Sequence, residues 1–154
     1  MILLQKAQRA DCDDLCWIQV CAFQPLLEKY QDYDTSPAVE TVDHIIQWLE
    51  QEFTDYYLIQ SDNLTVGMMR VCDFGDTCRV SPICILPEHQ GRGCAQQAMV
   101  LAESLYPNAQ KWTLDTIVQE ERLCYFYEKL GYRRTGKQEH IKDGMDLVYY
   151  EKQI

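Results

Sequence analysis

Positions 83 to 95 read Ile-Cys-Ile-Leu-Pro-Glu-His-Gln-Gly-Arg-Gly-Cys-Ala, an apolar strand, a glycine-containing turn and the start of a helix. These residue types suit the holding of a phosphate or pyrophosphate. The first N–H groups of a helix have no intrahelical partner, and the helix dipole places partial positive charge at that end. Glycine lets such a backbone come close to an anion. Within Gln90-x-x-Gly93-x-Ala95, Gly93 and Ala95 remove side-chain bulk and Arg92 adds a cation. No Lys-Ser or Lys-Thr follows, so the turn is not a P-loop, and its glycines lack the G-x-G-x-x-G spacing of a dinucleotide-binding turn.

Such a turn works only if a sheet and flanking helices hold it. Ile2 to Leu4 read as a first strand, and the stripe Cys12, Leu15, Cys16, Ile18 after an Asp11 cap predicts a first helix ending near Phe23. Gln24 to Thr35 has no clean period. Ser36-Pro37 signals a helix start, and Val42, Ile45, Ile46, Leu49 and Phe53 give a second amphipathic helix. Tyr56–Gln60 and Thr65–Val71 flank a Ser61-Asp62-Asn63 turn, and Thr77–Leu86 completes a meander. Helices over Gly91–Tyr106 and Glu120–Leu130 then alternate with a strand over Lys111–Thr116, with Gly131 as a helix stop. Strands over Tyr132–Gln138 and Met145–Tyr150 close the chain. The expected fold is α/β, a mixed sheet with helices on its faces in the order β-α-α-β-β-β-α-β-α-β-β, in one domain from residue 1 to 154.

One helix and one strand beyond the glycine turn stands Tyr125-Phe126-Tyr127-Glu128-Lys129-Leu130-Gly131-Tyr132. Together the two segments resemble the GCN5-related N-acetyltransferases, with a Q/R-x-x-G-x-G/A pyrophosphate motif and a later Y-E-K-L-G-F-like run. The element order matches that family over essentially the whole chain. The resemblance implies acetyl-coenzyme A as acyl donor, with Gln90, Gly91, Arg92, Gly93, Cys94 and Ala95 at the pyrophosphate. Ile83, Cys84 and Ile85 would lie along the pantetheine arm, where this strand splays from the next and frees backbone groups to polarise the acetyl carbonyl. Tyr127 would protonate the departing thiolate.

Two positions depart from the family pattern. Glu120 stands where many members carry a cofactor-contacting asparagine, and Ser81 where many carry a strand glutamate that acts as base. The base is therefore unassigned among Asp115, Glu40, Asp43, His89 and a water chain. Acceptor choice in the family rests on the segment between the first two helices, here with Glu28, Tyr30, Asp32 and Asp34 as substrate-binding candidates for a cationic amine.

The net charge of −10 suits such a cation and argues against nucleic acid, which requires clustered Lys and Arg. No stretch approaches the roughly 20 apolar residues of a membrane span. Without an export signal at Met1–Lys6, the expectation is a cytoplasmic protein in which eight cysteines remain reduced thiols, with no zinc-type spacing. The reading is acetyl transfer to a primary amine of a small molecule or peptide by direct attack in a ternary complex, with no metal. The alternatives are a non-catalytic coenzyme A sensor and a protein-interaction module on the same fold. Either an isolated subunit or a homodimer is compatible with the sequence.

Overall fold

The computed structural model describes all 154 residues. Seven strands form one sheet in the order β1-β2-β3-β4-β5-β7-β6. Its first half is an antiparallel meander: β1 (Ile2–Lys6), β2 (Thr54–Ser61), β3 (Leu64–Asp73) and β4 (Thr77–Ile85). Its second half is β5 (Lys111–Ile117), β7 (Met145–Gln153) and the edge strand β6 (Arg133–Lys142), again antiparallel. Only β4 and β5 run parallel, joined by a helical crossover. The β2–β3 turn is made at Asp62 and Asn63, both with positive φ (50° and 72°), the conformation of a two-residue hairpin turn matching strand twist.

Helices α1 (Cys12–Tyr30) and α2 (Val42–Leu49) cover one face of the meander, and α3 (Cys94–Leu105) and α4 (Glu121–Lys129) lie on the other. Alternation along each strand builds two cores. Val66, Met69, Val71, Cys78 and Val80 join Ala98, Ala102, Trp112 and Leu114 on the α3/α4 side. Tyr56, Leu58, Met68 and Cys84 join Leu15, Ile18 and Ile45 on the other. Gly67 is required where β3 meets β4, because a Cβ there would run into the Cys84 carbonyl oxygen.

The element order agrees with the sequence expectation; several boundaries do not. The first helix runs past Phe23 to Tyr30 with Pro25 inside it. Proline removes one N–H from the ladder, but buried Leu27 and a left-handed Gln31 at the C-cap anchor the last turn. Ser36 caps only a short 3-10 turn at Pro37–Val39, and Thr41 caps α2 afresh by accepting from the His44 N–H. Phe53 lies beyond α2. The third helix begins at Cys94 rather than Gly91, since Gly91 and Gly93 take φ of 79° and 77°. The last two strands extend to Lys142 and Gln153, beyond the expected ends.

Candidate active site

Strand β4 pairs with β5 only through Thr77–Lys111, Cys78–Trp112 and Arg79–Thr113. Beyond these the two strands part, although β4 keeps its ladder to β3 up to Ile85–Gly67 and β5 keeps its ladder to β7 up to Ile117–Leu147. A cleft therefore opens within the sheet, edged by the remainder of β4 on one side and of β5 on the other. Arg79 and Asp115 close its narrow end, Nη2 to Oδ2 at 2.5 Å.

The glycine turn lies at the wide end. Gln90 folds its side chain back, Nε2 donating to the Ile85 carbonyl at 2.9 Å, and so ties the turn to the end of β4. The backbone N–H groups of Gly91, Arg92, Gly93, Cys94, Ala95 and Gln96 donate to no group of the chain; the first intrahelical bond of α3 is Gln97 N–H to the Gly93 carbonyl. A Cβ on Gly91 would meet nothing within 4 Å, so its positive φ, rather than crowding, calls for glycine. Arg92 is exposed and makes no ion pair. Six free donors in sequence at a helix start, with a free guanidinium beside them, fit a pyrophosphate. Cys94 is buried in the core beneath the turn and Ala95 partly so. Thus what both present at the turn is backbone.

Ile83 and Ile85 turn toward the α3/α4 core and Cys84 toward the α1/α2 core. Burial pushes the Cys84 thiol up to about 12, so it is neutral near pH 7.

Tyr127 is buried in α4, its ring edge-on to Phe126 and Tyr132 at 5.1 and 6.1 Å between centroids. The helix ends behind it in a Schellman turn: Tyr132 N–H donates to the Tyr127 carbonyl, Gly131 N–H to that of Glu128, and Gly131 has φ of 99°. The Tyr127 hydroxyl has no hydrogen-bond partner within the chain. Burial, helped by the charge of Asp115 and the thiols of Cys84 and Cys124, raises its pKa far above the ordinary phenol value. A phenol held protonated, with its proton uncommitted, is free to donate.

Glu120 immediately precedes α4 and binds α1 instead of facing the cleft alone. Its Oε2 accepts from Lys29 Nζ at 2.6 Å and from the Tyr30 hydroxyl at 2.5 Å. Burial opposes the charge, but the Lys29 and Tyr30 hydrogen bonds outweigh it and hold Glu120 below its ordinary range.

The substrate candidates between α1 and α2 are dispersed. Glu28 and Tyr30 belong to the last turn of α1 rather than to a loop. Glu28 is exposed and Tyr30 is engaged by Glu120. Asp32 is buried and spends its carboxylate on the loop itself, accepting from Asp34 N–H, Thr35 N–H and the Thr35 hydroxyl. Asp34 is exposed. Among the base candidates, only Asp115 borders the cleft on the strand that parts from β4. Glu40 is held by His44 at 2.7 Å, Asp43 is exposed on α2, and His89 sits in a 3-10 turn after β4.

Sequence reading missed Arg79 as the partner of Asp115 and Lys29 as a partner of Glu120. The first depends on register between strands distant in sequence and the second on α1 reaching Tyr30. Neither leaves a local pattern.

A model of the "Acetyltransferase (GNAT) domain" family matches residues 28–154. No curated protein matches the chain in sequence. The fold is shared with the ribosomal-protein-S18-alanine N-acetyltransferase of Escherichia coli at a TM-score of 0.80, with 12% identity over 100% of this chain and 94% of that one. An acetyltransferase of Thermus thermophilus aligns at a TM-score of 0.78, with 18% identity over 100% and 97% of the two chains. The PaiA N-acetyltransferase of Thermoplasma acidophilum, solved in complex with coenzyme A, aligns at 0.74 with 13% identity over 100% and 99%. With the family model spanning most of the chain, and the parted strands and glycine turn in place, the protein belongs to the GNAT acetyltransferase family.

Proposed function

We propose that the protein transfers the acetyl group of acetyl-coenzyme A to a primary amine by direct attack. The observation that carries this reading is the cleft between β4 and β5, with six unpaired N–H groups at one end and Tyr127 beside it. The pyrophosphate would rest on residues 91 to 96 with Arg92 beside it, and the thioester would lie between the parted strands. When bound, the cofactor supplies an activated acyl group whose carbonyl carbon accepts the amine.

The chain's own groups have separate tasks. Unladdered backbone donors along β4 stabilise charge developing on the acetyl oxygen. Tyr127 gives its proton to the leaving thiolate, and Asp115, ion-paired with Arg79 but the one base candidate bordering the cleft, takes the proton of the attacking amine. Direct attack is preferred to an acyl-cysteine because Cys84 is kept as a neutral thiol.

Thiol release from acetyl-coenzyme A, followed over a panel of primary amines with product mass, tests the reading. Amine-dependent release with acetylated product is expected. Tight cofactor binding with no release across the panel would instead favour the sensor.

A further inference from the structure

Arg70 lies on the α1/α2 side of β3, and no carboxylate of this acidic chain is within ion-pair distance of it. Its guanidinium carbon stands 4.5 Å from the centre of the Trp48 ring, and its Nε is buried without a partner. Directly across the β2–β3 ladder is Tyr56, fully buried, whose hydroxyl is also without a hydrogen-bond partner. Burial raises the Tyr56 phenol to about 12, with Arg70 working in the opposite direction, so the hydroxyl keeps its proton. The Arg70 guanidinium thus sits beside a buried phenol that can accept from it, with no carboxylate to neutralise its charge, an arrangement that costs stability unless an anion takes its remaining N–H groups.

The pair lies close to the cleft. The β3–β4 register shifts between Met69–Ile83 and Val71–Val80, so Arg70 stands opposite Ser81 and Pro82. These are among the first β4 residues beyond the last β4–β5 pair, Arg79–Thr113. Arg70 is thus one strand from the cleft, on the sheet face that carries Tyr56, Met68 and Cys84.

Resting on the acetyl-transfer reading, we infer that Arg70, positioned by Tyr56 and Trp48, binds a carboxylate on the acceptor, which is an amine of the amino-acid class. A planar carboxylate can take two N–H groups from the end of the half-buried Arg70 guanidinium, whose plane the Trp48 ring fixes and which Tyr56 backs from inside the protein. Glu40, whose charge reaches Tyr56, is occupied by His44 at 2.7 Å. The acceptor class differs from the cationic amine that the net charge suits, because Asp32, the buried carboxylate of the intervening segment, is already used by its own loop.

The test is calorimetric titration of N-acetyl amino acids, as product-like carboxylate probes, and of their carboxamide counterparts, into the native protein, Arg70→Gln, Arg70→Lys and Tyr56→Phe. Acetyl-coenzyme A is titrated into each variant as a separate measure of folding and cofactor binding. The expected result is saturable binding of at least one carboxylate probe, at least tenfold weaker binding of its carboxamide, and at least tenfold loss in Arg70→Gln with partial retention in Arg70→Lys. Acetyl-coenzyme A binding is expected to be unchanged throughout. Equal binding of carboxylate and carboxamide, no carboxylate binding at all, or an unaffected Arg70→Gln would overturn the assignment. Tighter Arg70-dependent binding of the matching phosphonates would replace the carboxylate by a phosphate-type anion. Failure of acetyl-coenzyme A to bind the native protein would contradict acetyl transfer while leaving the carboxylate titration to be judged by its own outcome.

Discussion

Tyr127 is protonated near pH 7 and carries a hydroxyl that no neighbour claims, so its proton is free for the departing sulfur. Removing only that oxygen leaves the ring packing against Phe126, Tyr132 and Tyr150 intact. Tyr127→Phe is therefore expected to keep the native melting temperature and acetyl-coenzyme A affinity while losing about 10²-fold in kcat, within the range for general acid catalysis. Steady-state kinetics beside a thermal melt check this, and unchanged kcat would remove the role. Asp115→Asn should lower kcat/KM for the amine by a similar factor of about 10² if the carboxylate takes the proton. An undiminished rate would hand that task to water.

At the scale of elements, the cleft depends on β4 being firmly laddered to β3 while free of β5. Gly67→Ala would push against the Cys84 carbonyl and is expected to destabilise by about 1–3 kcal/mol, read by denaturant unfolding. The joint between α1 and α4 at Glu120 carries a pH signature. Its carboxyl is held below the ordinary value near 4.5, so its stabilisation is present above that pH and fades as pH falls through the lower folded value. Glu120→Gln should thus melt below the native protein at pH 7 and approach it below about pH 4; an equal gap at both pH values would show that the charge is not what matters. These elements differ in how far local sequence reveals them. The β3, β4 and α4 patterns are plain because alternation and the Leu130-Gly131 stop are local. The continuation of α1 through Pro25 is not, since it is settled by the packing of Leu27 and by Glu120 on a distant segment, while the Thr41 cap is local but is masked by the stronger Ser36-Pro37 signal just before it. The glycine turn is readable by residue type, but the role of Gln90 as a brace on Ile85 is not.

For the whole molecule, the two halves of the sheet share three residue pairs and one helical crossover, so a ligand bound between them ties them together. Saturation at about 100 times the dissociation constant adds about 2.7 kcal/mol, or about 5–10 °C in melting temperature for a chain of this size. The most direct measurement is calorimetric titration of acetyl-coenzyme A into the native protein and into Gly91→Val/Gly93→Val. Those substitutions force β-branched side chains into positive φ and disrupt the run of free N–H groups. Single-site micromolar binding to the native protein, abolished in the double variant, is the predicted result. No binding to the native protein, or equal binding to both, would contradict a cofactor seated on the glycine turn.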